Sequence, residues 1–376
     1  MTTATPLKLD TSILPEDAQS LFDKLYRRVI GQDRAVKQFV KAYCSIMSGL
    51  NKEGRPAGVF LFAGPTGCGK TELARAVAEI LFGSRTAYTK INCAEFQHSH
   101  EVSKLLGSPP GYLGHRETPA ALCQQKIDKF QTAKHKINLV LFDEIEKANE
   151  ALFELLLGVL DEATLTLGNN ETVDFSKTIV ILTSNLGARE IKGMVQDSGI
   201  GFKGTVAQRL DLDTKIYAKT KEAIEKKFSP EFVNRLDRLI VFRSLSEESL
   251  RKILDIELYE FEMRIWRAPW KLADKKIGDT GFVMPPQLSV HIVPTQRCKD
   301  FLIAEGTSAI YGARELNRAI ERFIAYPMSL LIGSKQAAHG DVITIDHEKD
   351  SKELVFIKTK HVNQEKAIWP EFIGGK

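Results

Sequence analysis

The segment Gly64-Pro65-Thr66-Gly67-Cys68-Gly69-Lys70-Thr71 constrains this chain more than any other. It fits the pattern GxxxxGK[ST], follows the short apolar run Val59 to Ala63, and precedes a helical pattern from Thr71 to Phe82. Strand, glycine-rich turn and helix in that order make one α/β unit. The spacing has a chemical reason. Glycines let successive backbone N–H groups turn inward on phosphates, and the following helix adds the positive end of its dipole. Lys70 then reaches the β- and γ-phosphates, and the Thr71 hydroxyl ligates Mg²⁺. ATP with Mg²⁺ is the expected ligand, cradled by Gly64, Pro65, Thr66, Gly67, Cys68, Gly69, Lys70 and Thr71.

Two more apolar runs, Leu139 to Phe142 and Thr178 to Thr183, are short and rich in branched residues, as suits strands buried on both faces of a parallel sheet. The first ends in Asp143-Glu144. Two acids after an apolar run are by themselves most simply a solvated strand end, but the phosphate loop reverses that reading. Asp143 is then expected to hold Mg²⁺ and Glu144 to act as general base toward the attacking water. Helical spacing predicts a helix over Pro15 to Arg28, with Leu21, Leu25 and Tyr26 on one face, and a second from Asp33 to about Leu50. After Phe242 the α/β alternation stops. Glu247 to Trp266 and Thr307 to Ile332 read as helices around an irregular stretch from Trp270 to Val293. Val342 to Ile345 and Leu354 to Ile357 then alternate as a small sheet. The expected organisation is an N-terminal segment and lead-in helix (1–28), a large α/β domain (29–242), a helical lid with a small C-terminal β-sheet (243–360) and a tail (361–376).

Composition removes several alternatives. The 52 Lys and Arg nearly balance the 48 Asp and Glu, and no basic block marks a nucleic-acid arm or a membrane-surface segment. The five cysteines are scattered with no CxxC pair, which argues against a disulfide framework or structural zinc and for a reducing, cytoplasmic setting. No apolar run approaches the roughly 20 residues of a membrane span, and MTTATPLKLD lacks a secretory pattern. Neither nucleic acid nor membrane insertion is expected.

Further segments carry a resemblance. Val29-Ile30-Gly31-Gln32, Asn185 in Leu182-Thr183-Ser184-Asn185, Phe232-Val233-Asn234-Arg235-Leu236-Asp237 and Tyr311-Gly312-Ala313-Arg314, taken with the phosphate loop, resemble the AAA+ superfamily. Within it, the likeness is to the second ATPase ring of the Clp unfoldases and disaggregases. The resemblance implies an α/β core of the P-loop type followed by a lid domain. It implies that Val29 and Ile30 line the adenine pocket, that Asn185 is a polar sensor beside the γ-phosphate, and that Arg314 contacts the nucleotide from the lid. Arg235 is implied as an arginine finger reaching a neighbouring subunit's nucleotide, which in turn implies a ring, by resemblance a homohexamer. Because only the segment 1–28 precedes the matched part, the chain looks like a single-ring motor without a built-in substrate-selecting domain.

The loop Gly107-Ser108-Pro109-Pro110-Gly111-Tyr112-Leu113-Gly114 resembles the family's axial pore loop, in which Tyr112 and Leu113 would grip unfolded or tagged polypeptides. Just beyond it, His115-Arg116-Glu117-Thr118-Pro119 departs from the family, and Thr118 as N-cap before Pro119 predicts a helix from Pro119 to Lys129. Gly199-Ile200-Gly201-Phe202 admits two readings. Ile200, Gly201 and Phe202 form either a loop docking on a Clp-type peptidase or a glycine turn with Phe202 folded on its own domain. His98 and His100 lack a third metal ligand at zinc spacing, the cluster Lys126, Lys129, Lys134, His135 and Lys136 reads as a solvated face, and Trp266 and Trp270 read as packing residues of the lid. The function implied is an ATP-driven unfoldase. An AAA+ ATPase acting on nucleic acid and a nucleotide-gated scaffold are the alternatives.

Overall fold

The computed structural model describes residues 13–107, 120–188, 206–267, 290–306, 312–349 and 351–359, with 10, 191 and 193. The chain divides into two units, Met1–Ser244 and Leu245–Lys376. In the first, helices α1 (Glu16–Arg28) and α2 (Asp33–Met47) lead to strand β1 (Gly58–Ala63) and helix α3 (Lys70–Phe82). Then follow β2 (Thr89–Asn92), β3 (Asn138–Asp143), a hairpin of β4 (Thr164–Thr166) and β5 (Thr172–Asp174), β6 (Thr178–Ser184) and β7 (Arg238–Val241). The main sheet is parallel, in the order β2-β3-β6-β1-β7.

Side chains alternate across this sheet, and both faces are apolar. Val59, Leu61, Val140, Phe142, Val180 and Leu182 enter one core, which the helix Glu150–Glu162 closes. Phe60, Phe62, Leu139, Leu141, Ile179 and Ile181 enter the other, against α1, α2 and α3. Double burial explains why the central strands read as continuous apolar runs rather than as an alternating pattern. Phe39, Phe60, Phe62 and Phe242 lock α2 to β1 and to the residue after β7, with ring centroids 5.3, 6.4 and 5.3 Å apart along the series Phe39–Phe60, Phe39–Phe62 and Phe62–Phe242.

Several expectations from sequence need correction. The helix predicted over Pro119–Lys129 does not form over that span. The N–H groups of Ala121 and Leu122 donate to the carbonyls of Lys104 and Leu105 instead, and Leu122 is buried in the first core, so the helix starts later, at Gln124–Ile127. A local capping signal lost to burial of one leucine. Helix α2 stops at Met47 rather than Leu50, and Tyr26 is exposed despite its spacing with Leu21 and Leu25. Strands β2 and β7 escape the apolar pattern because they are the sheet's four-residue edges, where Thr89, Lys90 and Asn92 on β2 and Arg238 on β7 meet solvent at least in part.

The second unit has the helix Glu247–Arg267, strand β8 (His291–Pro294), the helix Gln296–Gly306, and the helix Ala313–Ile320, which runs through a π-helical turn at Glu321–Ala325 into Tyr326–Gly333. Strands β9 (Val342–His347) and β10 (Leu354–Thr359) pair antiparallel, and β8 joins β9 in parallel. Strand β8 falls within the stretch expected to be irregular. Its position is fixed by Glu262, buried to 1% exposure, which accepts from the Ile292 N–H at 3.3 Å, and by Trp266, whose Nε1 donates to Val290 O at 2.9 Å. Trp266 is thus a packing residue, while Trp270 lies outside the described residues. His98 caps the turn Ser99–Val102 and its ring stacks on that of His100. Among the described residues no helix is long and apolar enough to cross a membrane, and no disulfide joins any of the five cysteines.

Gly306 marks a close approach of two helices in this unit. A Cβ built there would lie 2.8 Å from Leu316 Cα, so the helices Gln296–Gly306 and Ala313–Ile320 must separate to admit it. Gly306→Ala is expected to cost about 1–3 kcal/mol, as overpacking does. Hydrogen exchange should show the loss of protection within residues 290–359, with the β1–β7 sheet unaffected; unchanged protection would contradict the tight crossing.

Candidate nucleotide-binding site

The loop after β1 is shaped by a close approach and by a left-handed turn. The Gly64 N–H donates to Ser184 O at 3.2 Å, and a Cβ at Gly64 would stand 2.5 Å from Phe242 O, so only glycine fits between β6 and the end of β7. Gly69 precedes α3 with φ of 104° and offers no side-chain cap, which leaves the first-turn N–H groups of a long helix for an anion. Lys70, 8% exposed, points back over the loop. Its Nζ donates to Gly64 O and Pro65 O, both at 2.7 Å, and to Asn185 Oδ1 at 3.0 Å, and it lies 4.0 Å from Cys68 Sγ. Thr66 Oγ1 donates to the same Asn185 oxygen at 3.3 Å. Thr71 is half-buried one residue on, and Cys68 is 2% exposed. A concentrated cation ringed by loop carbonyls beside an uncapped helix start fits a polyphosphate.

The lead segment is fastened to this loop by Gln32. Its Nε2 donates to Cys68 O at 3.0 Å and to Arg243 O at 2.8 Å, while its Oε1 accepts from the Arg243 N–H at 3.1 Å. Val29 is buried, Ile30 half-buried, and Val29 Cγ1 lies against the Cβ direction of Gly69.

The acids stand at the ends of β3 and β6. Asp143 Oδ1 accepts from Thr183 Oγ1 at 2.5 Å, and its Oδ2 pairs with Lys90 Nζ at 2.6 Å. The same Thr183 oxygen accepts from the Glu144 N–H at 3.0 Å. Glu144 sits at φ 58°, a left-handed conformation uncommon outside glycine and frequent at working sites. Its Oε2 pairs with Lys147 at 2.6 Å. Asn185 also faces the acids: its N–H and Nδ2 donate to Glu146 Oε1 at 3.1 and 3.2 Å, with a longer contact of 3.5 Å to Glu144 Oε1. Glu146 Oε2 is buried and finds no hydrogen-bond partner among the described residues. Burial above all, and after it the charges of Asp143, Glu146 and Glu144, push the Cys93 thiol far above the ordinary range.

Lys70, Asn185, Asp143 and Glu144 are therefore linked through one set of contacts. Arg235 stands elsewhere in the first unit, at the end of the helix Pro230–Asn234, where Nη2 pairs with Asp161 Oδ2 at 2.9 Å and the buried Nε finds no hydrogen-bond partner among the described residues. Its carbonyl accepts from Arg55 Nη2 at 2.5 Å; Arg55 also donates from Nε to Leu160 O at 3.2 Å, and Asp237 beside it accepts from the Val59 N–H at 2.7 Å. Arg314 belongs to the second unit, exposed in the first turn of Ala313–Ile320. Tyr112, Leu113, Ile200, Gly201 and Phe202 lie outside the described residues. Sequence reasoning gave no role to Gln32, Lys90, Glu146 or Thr183. Glu146 and Thr183 adjoin residues already singled out, whereas Lys90 lies on an edge strand that the apolar pattern does not mark.

Residues 55–239 match the family described as AAA domain (Cdc48 subfamily), and residues 287–345 match the C-terminal, D2-small domain of ClpB protein. The chain is 36% identical over 365 residues to the ATP-dependent Clp protease ATP-binding subunit ClpC of Staphylococcus aureus (strain USA300), covering 97% of this chain and 40% of that protein. It is 37% identical over 337 residues to ClpC of Staphylococcus epidermidis, covering 90% of this chain and 37% of that protein. It thus spans well under half the length of these relatives. A cryo-EM reconstruction of Hsp104 in its closed state with ATPγS and FITC casein aligns at a TM-score of 0.68 and 30% identity, over 91% of this chain and 52% of that one. With the parallel sheet, the phosphate loop and the small C-terminal sheet all in place, the chain belongs to the Clp-type AAA+ ATPases and resembles their second ATPase ring.

Proposed function

We propose that this chain is an ATP-hydrolysing motor that unfolds polypeptides by drawing them through the pore of a homohexameric ring. The observation that carries the reading is the convergence of Lys70, Asn185 and the acids Asp143, Glu144 and Glu146 at one end of the sheet. Lys70 leaves its loop carbonyls for the β- and γ-phosphates of ATP, while the uncapped start of α3 takes the remaining charge. Mg²⁺ held by Thr71 and Asp143 supplies neutralisation and orientation of the phosphates. Among the described residues no group of three or more His, Cys, Asp or Glu is arranged to hold an ion unaided, which suits Mg²⁺, bound by few protein ligands plus phosphate.

Glu144 accepts the proton of the attacking water, and Asn185, already bonded to Lys70 and facing Glu144, orients the γ-phosphate end. Arg235, now paired with the exposed Asp161, exchanges that partner for a neighbouring subunit's nucleotide, and Arg314 contacts nucleotide from the lid. Tyr112 and Leu113 grip the polypeptide. The ClpC relatives, named as subunits of an ATP-dependent protease, and Hsp104, imaged with casein, support protein as the substrate class and a Clp-type peptidase, docked through Ile200, Gly201 and Phe202, as partner. Five scattered cysteines with no disulfide among them support a cytoplasmic setting.

Glu144→Gln is expected to bind ATP and to hydrolyse it at least about a hundredfold more slowly, the effect of removing a general base. A nucleotide-binding assay beside a phosphate-release assay reads both, and near-normal turnover would remove Glu144 from this role. Tyr112→Ala should retain basal ATPase and lose unfolding of a tagged, folded reporter. Equal unfolding by the parent and the variant would reject the pore-loop assignment, and single-stranded DNA stimulating turnover where unfolded protein does not would reject the substrate class.

A further inference from the structure

Lys90 has no part in the nucleotide chemistry described above, yet it makes a short contact to the carboxylate assigned to Mg²⁺. It stands on β2, two residues before Asn92, which is in register with Asp143 on β3. Its Nζ lies 2.6 Å from Asp143 Oδ2, while Thr183 holds the other oxygen at 2.5 Å. The Asp143 side chain is 15% exposed and that of Lys90 41%, so one partner is fixed in the protein and the other can swing into solvent. Asp143, Glu144 and Glu146 all lie at this strand end, where Lys147 pairs with Glu144 and Lys90 pairs with Asp143.

We propose that Lys90 is a positioning residue for Asp143: a built-in counter-cation that keeps the carboxylate aimed and that Mg²⁺ must displace from Oδ2 in order to bind. The proposal rests on the reading of Asp143 as the metal-holding acid. If ammonium and metal compete for one oxygen, each weakens the other by the same factor. Displacement costs little because the ammonium stem is half in water, whereas Asp143 stays put on Thr183. Nucleotide-free protein then keeps Asp143 paired, and loading with metal releases the Lys90 head group on β2.

The test is a Mg²⁺ titration of the melting temperature at a saturating concentration of a non-hydrolysable ATP analogue, compared between the parent, Lys90→Met and Lys90→Arg. Stabilisation by a bound ligand is read directly as a rise in melting temperature. Lys90→Met is expected to melt lower than the parent without metal and to need roughly fivefold less Mg²⁺ for half of the rise, the scale of losing one half-exposed ion pair. Lys90→Arg should track the parent. A purely structural lysine would lower the melting temperature and leave the Mg²⁺ midpoint where it was, and that result would overturn the proposal, as would a higher midpoint. Should Lys90→Met fail to fold, Lys90→Gln gives the same neutral comparison. A parent whose melting with analogue ignores Mg²⁺ altogether would instead overturn the reading of Asp143, and the role of Lys90 with it.

Discussion

Burial of the parallel sheet on both faces governs where this protein can do chemistry. With Phe60, Phe62, Leu139, Leu141, Ile179 and Ile181 committed to one core and their neighbours to the other, the middles of the central strands are apolar, and the buried polar side chains Asn138, Thr178, Thr183 and Ser184 fall at the strand ends. Polar groups collect where β1, β3 and β6 emerge at their carboxyl ends, the place at which open α/β sheets hold ligands. The phosphate loop follows the end of β1, Asp143 closes β3 with Glu144 just beyond it, and Asn185 is the first residue past β6. Parallel register brings them side by side, and Thr183 then joins two of the ends by donating to Asp143 while accepting from the Glu144 backbone.

Gln32 extends this logic beyond the sheet. It is buried to 3% exposure, and a buried amide must find partners for both its donor and its acceptor. It finds them on Cys68 in the loop and on both backbone groups of Arg243 just past β7. The lead segment is thereby tied to the phosphate loop and to the last residues of the first unit, so Val29 and Ile30 are held beside the loop by hydrogen bonds as well as by packing.

The fold class was legible in the sequence because the strands that matter most are buried twice and so stand out as continuous apolar runs. What escaped notice was at the edges. Thr89 to Asn92 and Arg238 to Val241 carry polar residues where one side meets solvent, and His291 to Pro294 is too short to show a period. The error at Pro119–Lys129 arose differently. Local capping chemistry favoured a helix there, and a long-range bond from Leu122 to Leu105 overrode it. At the site, a spacing motif can point to Lys70, Thr71, Asp143 and Glu144, but it carries no information on which side chain faces a motif residue across the sheet. Lys90 and Glu146 are such residues, and only coordinates bring them to Asp143 and Asn185.

Arg55 holds the carbonyls of Leu160 and Arg235 while Asp237 grips the Val59 amide, so the turn bearing Arg235 and the strand feeding the phosphate loop share one rigid brace. The brace takes hold of the Arg235 backbone through its carbonyl while the guanidinium is held apart by Asp161, so the side chain can change partners without loosening the bonds that tie this turn to the start of β1.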